Sequence, residues 1–254
     1  MFNQIPLMKI SRILSLIALM AIAVACSKDD DPEPLENATL SFSQNSAILQ
    51  VPQGLLNSDD PKAMEAASWV TMANALSANV IAPPAGAQRT TDLITPVNGR
   101  TSATTGVVYT WEDPQNGSVA YQIKDEDSKY VFELFYKGPD DSGWYRYFYA
   151  EEFKDRSAGY MVIYDAWGFM DESRGAQMMR WDWTRKGDLF TLKMIDNDFG
   201  FNLTVEVNTK TKAGSVVYFE GGIKQSEVVW DAQGKGTWKD FDETGAVVEQ
   251  GSWS

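Results

Sequence analysis

Histidine is absent from this 254-residue chain, and Cys26 is its only cysteine. Without histidine there is no histidine-containing triad and no thiol–imidazole pair, and the usual zinc ligand sets fall away. One cysteine also excludes an intramolecular disulfide. Basic residues are scarce: 22 Lys and Arg stand against 35 Asp and Glu, a formal net charge of −13. Such a surface repels phosphate backbones, so no nucleic-acid partner is expected. There is no phosphate-loop or dinucleotide glycine pattern, and no cofactor is expected. Asp196-Asn197-Asp198-Phe199-Gly200 has some calcium-loop character but lacks the ligand spacing and the terminal Glu, so it reads as a turn and not a metal site. Carboxylate pairs such as Glu151/Glu152 and Asp171/Glu172 have the residue types of a glycosidase acid and base. Among 35 acids such neighbours arise by chance, and a non-enzyme is expected.

Long apolar runs are equally rare, and the one present is at the start. Lys9 and Arg12 precede an uncharged stretch from Ile13 to Ala25, which ends Ile22-Ala23-Val24-Ala25-Cys26. A basic region, an apolar segment and small residues before the break make residues 1–25 a secretory signal. The run falls short of the about 20 apolar residues a membrane span needs. Cys26 directly after the small residues resembles the bacterial lipobox, with Ala23 where that motif usually has Leu. The acidic stretch that follows, Ser27-Lys28-Asp29-Asp30-Asp31-Pro32-Glu33-Pro34, resembles the surface-export tether of Bacteroidota lipoproteins. These resemblances imply acylation (palmitate) at Cys26, a tether over 26–37, and a membrane partner through the lipid anchor. They place the protein on the outer membrane, facing the exterior.

Behind the tether, positions 38–254 read as a single mainly β domain. Thr39 to Phe42 and Ala47 to Val51 are possible strands. Ser58-Asp59-Asp60-Pro61 is a helix start, with an Asp cap and Pro at the first helical position. Asn79 and Pro83-Pro84 mark its stop, giving a helix over 61–80. Trp69, Met72, Ala73, Leu76 and Val80 form an apolar stripe, and no charged residue occurs from Ala66 to Gln88. A helix neutral on all sides is expected to be surrounded by protein, as a plug or lid on the concave side of a sheet. The segment 85–104 reads as a connection.

From Thr105 to Ser254 short alternating runs follow one another, separated by Asn116-Gly117, Gly138-Pro139-Asp140-Asp141, Lys186-Gly187, Gly221-Gly222, Gln233-Gly234 and Thr244-Gly245. These turns predict an antiparallel β-meander of about a dozen strands forming a barrel or half-barrel. Phe201, Leu203, Val205 and Val207 share one face of their strand and polar residues the other. The strands between 129 and 184 are apolar on both faces. Trp144, Phe148 and Ala150 oppose Tyr145, Tyr147 and Tyr149, for example, so these strands need cover on both sides. The helix, segment 38–56 or 85–104, or a ligand can supply it.

Charges set among these aromatics are the candidate site. Glu133 and Arg146 are placed to pair across a hairpin, and Asp165 and Arg180 across the loop between Gly168 and Gly175. Buried charges need partners, so structural ion pairs are the plain reading. The functional reading has Arg146 or Arg180 anchor an anionic head group beside Trp181 and Trp183, with Trp69 of the helix contributing to the same ligand.

The tail Gly234-Lys235-Gly236-Thr237-Trp238-Lys239-Asp240-Phe241-Asp242-Glu243-Thr244-Gly245, partly repeated by Gly251-Ser252-Trp253, resembles the Gly/aromatic hairpin repeats of bacterial surface proteins. In element order, a lipobox, a lone neutral helix and an eleven- or twelve-strand wrap resemble the lipoprotein carriers and receptors of the bacterial envelope. That resemblance implies an apolar or amphipathic ligand, such as a lipid, in a helix-lidded barrel. A glycan-binding surface lipoprotein using exposed Trp and Tyr is the alternative, and a structural or assembly subunit without ligand is the third. A filled interior favours structure, an open apolar cavity lipid, and an outer aromatic strip glycan. No particular protein partner follows from the sequence.

Overall fold

Turn residues at nearly every break allow each strand to fold back on its predecessor, and the result is one antiparallel sheet of thirteen strands in chain order. The computed structural model describes residues 35–40, 49–78, 83–97, 105–114, 117–168, 174–196 and 200–254. The strands are β1 (Gln88–Thr90), β2 (Thr105–Asp113), β3 (Gly117–Glu126), β4 (Lys129–Lys137), β5 (Tyr145–Phe153), β6 (Ala158–Tyr164) and β7 (Gln177–Lys186). They continue as β8 (Leu189–Asp196), β9 (Phe201–Asn208), β10 (Gly214–Glu220), β11 (Ile223–Trp230), β12 (Gly236–Phe241) and β13 (Val247–Trp253). Between β10 and β11 the chain turns on Gly221 and Gly222, both at positive φ (57° and 82°), as a two-residue hairpin turn requires.

The sheet is not closed. β1 and β13 are its two edges and do not pair with each other, which removes the closed form from the expected barrel or half-barrel. The cross-strand row that faces the core shows the reason. Reading from β2 it runs Val107, Ile123, Phe132, Ala150, Met161, Trp181, Met194, Leu203 and Tyr218, then Ser226, Asp240 and Glu249. This row turns polar beyond β10, so along it a closing β13 would offer no apolar side chain, although Trp238 and Trp253 of the neighbouring rows still pack on the core. β1, which lies inside the segment expected to be a connection, is three residues long and offers little ladder to a closing strand.

Among the described residues two α-helices, α1 (Gln53–Leu56) and α2 (Pro61–Ala78), precede the sheet. Asp60 Oδ1 accepts hydrogen bonds from the N–H groups of Lys62 and Ala63 at 2.9 and 3.1 Å and so caps α2. The buried stripe of α2 is Ala63, Ala66, Ala67, Val70 and Ala73, small side chains that let the helix lie close on the core face. Trp69 stacks on Tyr218 of β10 (5.8 Å between ring centroids, 17°) and meets Phe201 of β9 at 6.1 Å. Lys62 Nζ reaches Asp240 of β12 at 2.9 Å. Met64 is 57% exposed, and Ser68 and Thr71 also face water, so α2 is not enclosed on every side. Its neutral residues serve close approach to the sheet; they are not a sign of envelopment. The Leu76 side chain and Val80 lie outside the described residues.

Leu40 and Leu49 are buried core residues, yet neither belongs to a strand, a departure from the two strands expected over 39–51. Positions 41–48, which complete those two segments, lie outside the described residues. Leu40 and Leu49 themselves supply side chains to the core. Upstream, Leu35–Asn37 forms a single 3₁₀ turn, and Glu36 pairs with Arg89 at 2.7 Å.

The opposite face of β2–β4 is covered by the segment after β1. Leu93 and Ile94 pack with Trp144 on Val108, Ala120 and Phe135. The Ile94 N–H donates to Oε1 of Gln122 at 2.7 Å, and the Val97 N–H to the Trp144 carbonyl at 3.0 Å. One of the two segments expected to cover the second face therefore does so. β9 alternates as its sequence requires, with Leu203, Val205 and Val207 fully buried.

Candidate functional site

Two of the four register shifts in the sheet break the alternation on which face assignment in β4–β7 depends. One lies in the β4–β5 ladder, between Leu134 (opposite Phe148) and Phe135 (opposite Arg146). The other lies in the β6–β7 ladder at Ile163/Tyr164. An extra residue re-aims every side chain beyond it. Tyr145 and Tyr147 consequently join the inner cluster with Phe148 and Ala150, while Trp144 joins the outer one. The two expected face sets of β5 are thus each split. Tyr147 packs edge-on to Tyr136 at 5.5 Å and meets Trp167 at 5.1 Å.

The ladder between β5 and β6 stops at Phe148–Ile163, so the ends of these strands separate just past both bulges. A cleft of about 190 Å³ opens there, lined by Pro96, Val97, Trp144, Tyr145, Arg146, Tyr164, Arg174 and Gly175. It is smaller than the about 300–1,000 Å³ of sites for drug-sized ligands, so it suits one ring or one terminal group. Its lining holds two cations and no acid.

The two arginines are held differently. Arg174 donates through Nε to the Ala166 carbonyl at 2.7 Å and through both terminal nitrogens to Asp141 at 2.6 and 3.0 Å. Its guanidinium carbon lies 3.4 Å from the Tyr145 ring centroid. The Arg174 hydrogen bond holds the Asp141 carboxyl below the usual carboxylate range. Arg174 is a strut that ties the loop after β6 to the turn after β4. Arg146 donates from Nη2 to Oε1 of Glu133 at 2.6 Å, and its buried Nε has no hydrogen-bond acceptor among the described residues. Glu133, 1% exposed, also accepts from Gln122 at 2.8 Å and forms an ion pair with Lys124 Nζ at 3.2 Å, both through Oε2. Three partners around one desolvated carboxylate are the compensation a buried charge requires.

From Arg146 a strip of half-buried rings and charges continues across the outer face. The Arg146 guanidinium lies 5.1 Å from the Tyr149 ring, Tyr149 lies 5.9 Å from Tyr160, and Arg180 sits 4.1 Å over Tyr160. The Tyr149 hydroxyl donates to Glu151, which also receives Lys129 at 2.6 Å. Burial pushes the Glu151 carboxyl up, but hydrogen bonds from Lys129, Tyr149 and Tyr160 outweigh it and hold the group below its ordinary value. Burial raises the Tyr149 phenol, and the Glu151 bond raises it further.

The sequence-predicted site residues do not form one constellation. Arg146 pairs with Glu133 as expected. Arg180 pairs with Asp182 two residues along its own strand, at 2.6 Å, and not with Asp165. Asp165 instead accepts from the N–H groups of Trp167 and Gly168 at 3.2 and 2.7 Å, which shapes the loop. Trp181 and Trp183 are 3% and 2% exposed within the core, on the face opposite Arg180, because successive residues of a strand point to opposite sides. Trp69 is engaged with Phe201 and Tyr218. Cys26 lies outside the described residues. Sequence reasoning missed Arg174, Tyr164 and the Pro96–Val97 segment; the Gly-flanked loop before Arg174 was the one available signal.

Among the described residues no group of three or more His, Cys, Asp or Glu is placed to hold a metal ion. No helix among them is long and apolar enough to cross a membrane, which says nothing of a span by strands. No family model matches the chain, and no curated protein matches it.

Proposed function

We propose that this chain is a lipid-anchored, non-enzymatic cell-envelope protein that binds a glycan on the outer face of β4–β7, at the cleft between the ends of β5 and β6. One observation carries the reading: half-buried aromatic rings and guanidinium groups line a ring-sized cleft there. On the other face Phe132, Trp183, Phe190, Leu192 and Met194 are almost fully buried against side chains of the same chain. Aromatic faces with a few fixed polar groups are the chemistry that grips sugars, which present apolar C–H faces and hydroxyl rims. The filled inner face supports this over an acyl chain inside the wrap. The lipobox at Cys26 and the acidic residues after it support anchoring and exposure to the exterior.

A glycan array probed with the Cys26→Ser chain tests the binding. The reading expects a defined set of hits that Tyr164→Ala weakens, and an array without hits overturns it. Metabolic palmitate labelling that persists after Cys26→Ser would remove the anchor from the account.

A further inference from the structure

The charge at the cleft points to a narrower ligand class, and the step rests on the glycan reading above. The chain is strongly acidic, with a formal net charge of −13, yet the cleft lining carries Arg146 and Arg174 and no carboxylate. Arg174 is neutralised by the two bonds to Asp141 and has its Nε occupied. Arg146 is not equally spent. It shares the carboxylate of Glu133 with Lys124, which also pairs with Glu126 at 3.7 Å, and its one printed hydrogen bond runs from Nη2 to Glu133. The Arg146 Nε–H is buried and has no acceptor among the described residues. A buried donor without an acceptor costs about 1–3 kcal/mol, and more on a charged group. Of the two guanidinium groups that line the cleft, Arg146 makes one hydrogen bond where Arg174 makes three, so it has the greater capacity left for an anion.

From this we infer that the cleft takes an acidic sugar, a uronic acid unit, whose carboxylate accepts from Arg146 while its ring lies against Trp144 and Tyr164. A planar carboxylate matches the guanidinium fork. Trp144 and Tyr164 are both partly exposed in the cleft, whereas the Tyr145 ring is already faced by Arg174. The volume of about 190 Å³ admits one ring, so the site reads a single residue of a longer chain. On an acidic protein this also provides specificity: the rest of the surface repels a polyuronate and only the cleft receives it.

Calorimetric titration of the Cys26→Ser chain with oligomers of galacturonate, glucuronate and mannuronate, each beside its methyl ester, tests the inference. At least one free acid should bind about tenfold or more tightly than its ester, since one charged hydrogen bond is worth that factor. Arg146→Lys should lose most of that preference, because it keeps the charge and removes the fork. Val97→Trp, a substitution at a half-exposed residue of the rim that leaves the Glu133 cluster alone, should block binding of acid and ester alike. Equal affinity for acid and ester overturns the inference, as does wild-type affinity in both variants. Failure of every uronate beside neutral hits on the array overturns the acidic sugar and leaves the glycan reading standing. Failure of both removes the glycan reading itself.

Discussion

Gly159 faces Trp183 across the β6–β7 ladder, and a methyl group there should destabilise a strand that it would ordinarily help. A Cβ built on Gly159 meets Trp183 Cζ2 at 2.4 Å, the Glu151 carbonyl oxygen at 2.6 Å and Trp183 Cε2 at 2.7 Å. Neither neighbour yields easily: one is backbone in the β5–β6 ladder, and the indole is 2% exposed in the core with Nε1 3.3 Å from Glu152. Replacing Gly by Ala in a strand normally gains about 0.5–1 kcal/mol through backbone entropy. Overpacking a rigid core costs about 1–3 kcal/mol, so Gly159→Ala should lose a net ~1–2 kcal/mol. For a chain of this size that is a fall of about 2–8 °C in the thermal midpoint. Urea titration should show a lower midpoint at unchanged m. In Gly159→Ala/Trp183→Phe, which has a smaller ring, part of the Gly159→Ala cost should disappear. A Gly159→Ala protein as stable as the parent would refute the packing argument. The same relation recurs at Gly214 with Trp230, Gly236 with Trp253 and Gly251 with Trp238, where the Gly-x-Trp runs of β12 and β13 cover each other reciprocally.

Glu133→Gln should cost about 1–3 kcal/mol in urea unfolding, because it leaves Arg146 and Lys124 without their shared counter-charge; Arg146 keeps some water contact, which holds the loss below that of a fully buried pair. Burial raises the phenols of Tyr121, Tyr136 (to about 12), Tyr147, Tyr149, Tyr160 and Tyr218. Their contribution is present below the ordinary tyrosine value near pH 10 and is lost as pH rises above it. An ultraviolet tyrosine titration should therefore show a late phase that coincides with alkaline unfolding; complete ionisation of a still-folded chain near pH 10 would contradict it. Asp141 is shifted the other way by Arg174, so its contribution is present at neutral pH and is lost as pH falls below the usual carboxylate range. Asp141→Asn should flatten the acid limb of a stability–pH profile, and an unaltered limb would remove the strut from the account.

Most of the sheet could be read from the residues because its turns are chemically explicit and its β9 is half-polar. Phe201 to Asn208 states which face is buried, and Gly221-Gly222 states where the chain reverses. Closure could not be read, because it depends on whether the two edges meet. The polar inner positions Ser226, Asp240 and Glu249 stood in the sequence, but only the register lines them up with Trp181 and Leu203. The site was less legible still. A bulge inserts one residue without a compositional mark, and after it Tyr145 and Tyr147 go to the core while Arg146 and Tyr149 face outward. Glu133 with Arg146 was legible because a hairpin fixes near neighbours. Asp165 with Arg180 was not, because Asp182 is closer along the strand and Asp165 is used by its own turn.

The central claim is that the working surface is the outer cleft and that the inner face belongs to the fold. Native mass spectrometry of the Cys26→Ser chain, gently desolvated from cell extract and then mixed with an acidic oligosaccharide, tests it directly. The account predicts a bare protein mass from the cell and a one-to-one adduct with the sugar. A stoichiometric co-purified lipid, retained when the sugar is added, would contradict it and return the inner face to the role of a ligand cavity.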